Sequence, residues 1–161
     1  MRNPFTGKRL PADLRTRVSL RDGERIVAWA TAGTEPVVAT SQALYLGPER
    51  LRWDQIAKAN WDTGKLTLLI ESAHVRTVEL ELTDGDDLVD AVHSLVTLSV
   101  VVSEHVELGP GAGARLIARR DSDTSVIRWS VIFDSGLDAK DPRLRTLASA
   151  RLEEFRQATG A

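Results

Sequence analysis

Apolar and polar residues alternate along much of the chain between Ile26 and Leu82. Val78, Leu80 and Leu82, for example, are separated by single polar residues, which places them on one face of an extended strand. Turn-forming residues interrupt the pattern repeatedly, as at Asp62–Gly64. Short alternating runs separated by turns predict about seven antiparallel strands, which is typical of a sandwich or a barrel.

The hydrophobic period changes near residue 86. Leu88, Ala91, Val92 and Leu95 follow the i, i+3, i+4, i+7 spacing of one helix face. Several aspartates precede them and suit the positive end of a helix. We therefore predict an amphipathic helix that ends near Val96.

The last third of the chain predicts further strands and a second helix. Val100–Leu108 has an extended pattern, and Ala114–Arg120 and Val126–Asp134 form a predicted β-hairpin. Asp141 precedes Pro142 in the arrangement that caps and starts a helix. The apolar face of that helix consists of Leu144, Leu147, Ala148, Leu152 and Phe155.

Part of the chain also resembles a known family. The residues that carry the likeness are Gly23–Ala30, Val38–Leu46, Leu51–Ile56 and Ala59–Asp62. Together they resemble a bacterial PH-like domain of the kind found in uncharacterised actinobacterial proteins. The resemblance implies seven bent antiparallel strands followed by one capping helix, and it says little about function. Phosphoinositide-binding relatives carry lysine and arginine around the loop between the first two strands. Here that loop, Ala32–Glu35, contains no base, so the likeness does not imply an inositol phosphate ligand.

These observations predict an α+β protein in three parts. Residues 1–21 form an irregular basic N-terminal arm. Residues 22–98 form an antiparallel PH-like β-barrel with a capping helix. Residues 99–161 form a β-hairpin and a C-terminal helix, which we expect to pack on the barrel because the apolar helix face needs a surface to cover.

Composition and charge narrow the classes of function. The 161 residues include no cysteine, which excludes disulfides and thiolate metal sites. The net charge of −2 argues against a dedicated nucleic-acid binder. Residues 1–25 hold seven basic and three acidic side chains, so this arm is basic and could contact phosphate or an anionic membrane surface, or simply be solvated. No segment has the pattern of a secretory signal or a membrane span, and we expect a soluble protein of the cytoplasm.

Four arginines on the predicted second hairpin are the candidate contacts for an anionic partner. They are Arg115, Arg119, Arg120 and Arg128. The spacing of Arg115 and Arg119 places both on one face of a strand. Pairing of these arginines with Glu153 and Glu154 of the last helix is the alternative, and we favour it because surface ion pairs are common.

Other motifs have a structural explanation that we favour over a chemical one. Gly64-Lys65 lacks the flanking residues of a phosphate loop and suits a hairpin turn. The aspartates at 84–90 lack a glutamate at the twelfth position of a calcium loop and suit a helix start. Gly109–Gly113 precedes a predicted strand rather than a helix, which favours a linker over a dinucleotide loop.

Aromatic and histidine residues lead to the same conclusion. The four tryptophans, Trp29, Trp53, Trp61 and Trp129, all lie in predicted strands and are expected to fill the core rather than stack on bases. The three histidines, His74, His93 and His105, have no second ligand nearby in sequence. We therefore predict no catalytic residue, no metal ligand and no cofactor.

The sequence thus predicts a non-enzymatic binding or scaffolding module that acts through protein contacts, homo-oligomers included. One alternative is peripheral electrostatic binding to an anionic membrane or a nucleic acid through the basic arm and the hairpin arginines. A second alternative is a hydrolase whose site assembles only in space, which a histidine beside a carboxylate in a deep pocket would favour.

Overall fold

The computed structural model describes residues 9–160. These residues divide into two compact units. The N-terminal unit contains residues 9–99 and Ser122–Thr124, and the C-terminal unit contains Val100–Asp121 and residues 125–160. The prediction of an α+β protein with mainly antiparallel strands is confirmed.

The N-terminal unit is built on seven antiparallel strands in the order β4-β3-β2-β1-β7-β6-β5. Their bounds are β1 Ile26–Ala32, β2 Glu35–Thr40, β3 Ala43–Leu46, β4 Glu49–Arg52, β5 Ile56–Asp62, β6 Lys65–Glu71 and β7 Val75–Thr83. The joint between β1 and β7 is short, since it pairs only Thr31 with Thr83 and Ala32 with Leu82.

The closed barrel expected from the sequence is not found among the described residues, because β4 and β5 are the two edges of this sheet. A 3₁₀ turn at Trp53–Gln55 separates them, and Trp53 therefore lies outside the strand predicted for it. The side chain of Gln55 accepts a hydrogen bond from the backbone N–H of Arg52 at 3.0 Å. This contact lies where the four residues of β4 end and the chain turns toward β5.

A single helix, α2 (Asp86–Ser99), supplies its apolar face to the core of the sheet. Leu88 and Val92 are fully buried there beside inward-facing residues of β5 and β6, such as Ile56 and Leu68. The predicted apolar spacing is correct, and the helix runs three residues beyond its predicted end. Ser99 at the last position donates its hydroxyl to the carbonyl oxygen of Val96 at 2.6 Å.

The N-terminal segment is more ordered than an irregular arm. A short helix, α1 (Ala12–Arg15), lies in it, and Leu10 and Val18 are buried against Val38 and Tyr45. This packing holds the segment on the strands although it has no hydrophobic period of its own. Arg2 and Lys8 of the predicted arm lie outside the described residues.

The C-terminal unit is a three-stranded antiparallel sheet in the order β10-β9-β8 with one long helix. The elements are β8 Val100–Gly109, β9 Ala112–Arg120, β10 Ile127–Phe133 and α3 Pro142–Thr159. The extended segment near residue 100 thus adds a third strand to the predicted hairpin. Asp141 caps α3 as predicted, its side chain accepting from the N–H of Arg143, and Ala148 packs with Leu108 and Ala114.

None of the helices in the described part of the chain combines the length and the apolar character that crossing a membrane requires.

Candidate functional site

The outer side of β10 is an open edge of the C-terminal sheet. Within residues 9–160, β10 pairs with β9 alone. Every residue from Ile127 to Phe133 is half-buried or exposed, whereas most of β9 is buried. Sheet edges present unpaired backbone groups that can accept another strand. We therefore define this side of Ile127–Phe133 as the open edge.

Two hydrogen bonds fix which backbone groups lie along the open edge. The carbonyl of Val126 accepts from Asp121 N–H at 2.8 Å, and Asp134 N–H donates to the Gly113 carbonyl at 3.0 Å. Even-numbered residues of this strand thus bond to β9. Because the direction alternates in an antiparallel ladder, Ile127, Trp129, Val131 and Phe133 turn their N–H and C=O groups outward.

The two faces of β10 differ in chemistry. Val131 and Phe133 pack with Ala114 and the helix residue Ala148, and the Trp129 ring meets Phe155 edge-on at 6.4 Å between centroids. The opposite face carries Arg128, Ser130, Ile132 and Asp134. Ile132 is 44% exposed, so this face combines an apolar side chain with charges of both signs.

The structure places the four predicted arginines on β9 and β10, but their environments differ. Arg119 lies directly opposite Arg128 in the pairing register, and it is buried. Arg115 and Arg120 are exposed. Arg115 donates to the Ser103 hydroxyl at 3.1 Å, and Arg120 donates to the Ser125 carbonyl at 3.4 Å.

Glu153 and Glu154, the alternative partners of the hairpin arginines, form ion pairs within α3. Glu153 lies 3.8 Å from Arg156, and Glu154 lies 3.4 Å from Arg151. Both pairs have i, i+3 spacing within α3. Residues three positions apart are neighbours on a helix surface, so these arginines lie close to the two carboxylates.

A histidine and a carboxylate meet across the middle strand of the same sheet. His105 of β8 and Asp134 after β10 belong to strands on opposite sides of β9, which are about 10 Å apart. Nε2 of His105 lies 2.9 Å from both carboxylate oxygens of Asp134. The residue between them is Gly113, and a Cβ atom there would lie 2.5 Å from Asp134 Oδ2 and 2.7 Å from His105 Nε2. The missing side chain of Gly113 is therefore what lets the pair close.

This pair borders a cavity of about 370 Å³. The walls include Glu107 and the turn Gly109–Gly113, so the glycine-rich segment predicted as a linker joins β8 to β9. The cavity is open, and both members of the pair are about half exposed. Sequence reasoning missed this arrangement because the two residues are 29 positions apart.

Four ionisable groups with shifted pKa values lie together in the N-terminal unit. The side chain of Glu24 is fully buried and accepts from Arg50 Nη2 at 2.7 Å. The hydroxyl of Tyr45 donates a hydrogen bond to the same carboxylate. Arg50 also donates two hydrogen bonds to Asp123, from Nη1 to Oδ2 at 2.8 Å and from Nη2 to Oδ1 at 2.9 Å. We call these four residues the Arg50 cluster.

The pKa values of the Arg50 cluster follow from these contacts. Burial opposes ionisation of Glu24, but hydrogen bonds from Tyr45 and Arg50 outweigh it and lower the pKa of the carboxyl. The hydrogen bonds from Arg50 lower the pKa of Asp123. Burial and the Glu24 carboxylate raise the pKa of the Tyr45 hydroxyl. Hydrogen bonding to Asp123 raises the pKa of Arg50, which therefore keeps its charge.

Residues weighed individually in the sequence fall mostly into structural roles. Thr63 and Gly64 have φ of 48° and 78° and form a two-residue turn between Asp62 and Lys65, one residue shorter than predicted. Trp53 is 2% exposed, and its ring N–H donates to the Thr40 carbonyl at 3.1 Å.

The other two histidines, His93 and His74, each take part in a contact with a neighbouring group. His93 of α2 lies 3.1 Å from the carbonyl oxygen of Ala59 on β5, and the carbonyl of His74 accepts a hydrogen bond from Ser72. Within residues 9–160, no three histidine, aspartate or glutamate side chains are placed to hold a metal ion.

Comparison with known proteins adds no functional information, since no protein-family model, no curated protein and no solved structure matches this chain.

Proposed function

We propose that this chain is a binding module that acts through protein contacts, and that a protein segment pairs with the open edge of β10. The observation that carries the proposal is the outward direction of four backbone N–H and C=O pairs along an edge strand. Exposed apolar side chains lie beside them, with Val126 58% and Ile132 44% exposed. Strand addition uses such groups for affinity and the alternate side chains for specificity.

The two edges of the N-terminal sheet are less suited to this contact. On β5 the carbonyl of Ala59, which lies on the outer edge, is in contact with His93. β4 is only four residues long, and its Arg50 and Arg52 are engaged in ion pairs. Short strands and covered backbone groups are two ways in which proteins protect an edge.

We extend the proposal to the fold of the N-terminal unit, which we assign to the PH-like class. Its support is the succession of seven antiparallel strands followed by one helix, with Leu88 and Val92 of α2 in the core of the sheet. This assignment concerns fold, and PH-like folds serve several kinds of partner.

Affinity capture from native cytosol tests the functional proposal when two baits are compared. The first bait is the wild-type chain and the second carries Val131→Pro. Proline removes one outward N–H and leaves the bonds to β9 intact. We expect proteins that the wild type captures to be lost on the proline bait and kept on a Val131→Thr control. Retention of the same proteins on all three baits would refute the use of this edge.

A hydrolase is the second candidate, and the His105–Asp134 pair favours it. A carboxylate that accepts from one imidazole nitrogen orients the ring and makes the other nitrogen a better base. The attacking group in this scheme is water, with His105 as the general base. Under this candidate the wild type hydrolyses an activated ester faster than His105→Ala does. Equal rates would eliminate the candidate.

A further inference from the structure

The outer side of β8 is the second edge of the C-terminal sheet, because within residues 9–160 this strand pairs with β9 alone. We call this side of Val100–Gly109 the β8 edge. We infer that it binds an extended segment of a partner protein in which apolar residues alternate with basic ones. The β8 edge is separate from the open edge of β10, so the inference goes beyond the proposed function and does not depend on it.

Backbone groups of β8 are directed outward along this edge. The carbonyl of Gly113 accepts a hydrogen bond from the residue after β10, so the next residue, Ala114, directs its backbone groups toward β8. Val106 lies opposite Ala114 in the pairing register and therefore bonds to β9. Because the direction alternates along the strand, Ser103 and His105 turn their N–H and C=O groups outward. Such groups can hydrogen-bond to an added strand.

On the side that carries α3, β8 borders an open groove of about 570 Å³. Its apolar lining consists of Leu108 and Pro110 at the end of β8 and of Leu147 and Ala150 on the helix. Leu147 belongs to the apolar face predicted for α3, yet it is 38% exposed. An apolar side chain of the added strand would cover Leu147, which removes apolar surface from water.

The opposite side of β8 carries an acidic residue at the same end. Val106 packs in the cluster that contains Ala148 of α3, so its neighbour Glu107 points to the other side of the sheet. Glu107 is exposed, and no basic side chain within residues 9–160 forms an ion pair with it. The nearest arginine along β9, Arg115, is directed away from it and donates to the Ser103 hydroxyl. A basic side chain of the added strand can therefore pair with Glu107.

The two sides of β8 together specify the chemistry of the occupant. Successive side chains of a strand point to opposite faces, so apolar residues at alternate positions would enter the groove and the basic residues between them would face Glu107. Glu104 is also exposed and adds a second carboxylate along the strand. The basic residue of the groove itself, Arg151, lies 3.4 Å from Glu154. This charge distribution favours a basic segment over an acidic one.

Fluorescence anisotropy of two labelled synthetic peptides, titrated with the purified full chain, tests the inference. One peptide alternates valine with lysine, and the other alternates valine with glutamate. We expect the valine–lysine peptide to bind and the valine–glutamate peptide not to bind. A wild type that binds neither peptide, or both equally, would overturn the inference.

Side-chain variants locate the peptide on the protein. Glu107→Lys should weaken binding of the valine–lysine peptide at least about tenfold, because repulsion replaces attraction. Leu147→Ser should also weaken it, because the groove loses its exposed apolar side chain. Glu153→Lys makes the same change of charge on α3 at a position that does not line the groove, and it should bind as the wild type does. Equal weakening by the two lysine variants would mean unspecific attraction and would contradict the inference.

Backbone variants separate this inference from the proposed function. Ser103→Pro removes an outward N–H of β8 and should weaken peptide binding, whereas Ser103→Thr keeps both that N–H and the hydroxyl and should not. Val131→Pro on β10 should leave peptide binding unchanged, and circular dichroism shows whether each variant keeps its fold. Binding that is lost in Val131→Pro and kept in Ser103→Pro would place the peptide on the open edge, which would refute this inference and leave the proposed function standing.

Discussion

Tyr45 shows how a single buried residue reports on its surroundings. It is the only tyrosine in the chain, and its hydroxyl donates to the buried Glu24 carboxylate. Burial and that carboxylate both favour the neutral phenol, which is why its pKa is raised.

An ultraviolet titration should therefore detect tyrosinate only above the ordinary pKa of about 10. Glu24→Gln should move the transition to lower pH, because it removes the negative charge next to the phenol. Phenylalanine and tryptophan side chains do not ionise in this range, so the absorbance change belongs to Tyr45. An unchanged transition in Glu24→Gln would show that burial alone sets the value.

Gly113 is the second residue whose role depends on its position. Its φ is not in the left-handed region, so the reason for glycine here is space rather than backbone conformation. The atoms that a Cβ would meet are the ends of the His105 and Asp134 side chains, which can move away.

We expect Gly113→Ala to separate the pair at a cost below about 1 kcal/mol, because both partners are exposed. Urea unfolding measures the change. In a His105→Ala background the cost should vanish or become a gain, since alanine loses less conformational entropy than glycine in a strand. The same cost in both backgrounds would mean that Gly113 serves another purpose.

At the scale of the element, α3 shows a start signal that the sequence makes explicit. Asp141 accepts from the N–H of Arg143 at 3.0 Å, and Pro142 occupies the first position. The helix ends at Gly160, which has φ of 69°, a conformation that glycine adopts without a steric penalty.

Asp141→Ala should destabilise the C-terminal unit by about 1 kcal/mol, the usual value of such a cap. Asp138→Ala is the matched control. Asp138 also accepts a backbone N–H, that of Lys140, but it does not cap the helix. Thermal unfolding followed by circular dichroism should show a lower midpoint for Asp141→Ala than for Asp138→Ala. Equal midpoints would contradict the capping role.

The hydrophobic pattern predicts individual strands but not their order in the sheet. Alternation predicted β6 and β7 from residues such as Leu66, Leu68 and Leu80, which face the core. It could not show that β4 and β5 remain edges, because strand order depends on contacts between segments that are far apart in the chain. A hydrophobic period specifies which face is buried, and it does not specify which strands become neighbours.

At the scale of the whole molecule, the Arg50 cluster links charge to acid stability. Glu24 and Asp123 both have lowered pKa values. A carboxyl with a lowered pKa stabilises the folded state above its unfolded pKa, and the contribution is lost as the pH falls through the folded value.

We therefore expect the free energy of unfolding to fall as the pH drops from about 5 toward 2. Arg50→Met should lower stability at neutral pH by about 3 kcal/mol, because it leaves a buried carboxylate without its partner. It should also flatten the pH dependence. Urea unfolding at a series of pH values measures both effects, and an unchanged slope would contradict the part played by Arg50.

Candidate sites were less predictable than the fold. The four hairpin arginines were visible in the sequence, but Arg119 is buried while Arg115 is exposed, a difference that spacing along one strand does not contain. The Arg50–Asp123 contact joins residues 73 positions apart. No local sequence pattern predicts such a contact, because it forms only when distant segments of the chain fold together.

The sequence by itself determined the elements: the alternation of the strands, the apolar stripe of α2, and the aspartate and proline that start α3. These are local properties, set by backbone geometry and by the side chains within a few positions. Tertiary structure alone decided the partners: which strand edges stay open, which arginine is buried, and that His105 meets Asp134 over Gly113. Those outcomes depend on distances between residues far apart in the chain, which local preferences do not encode.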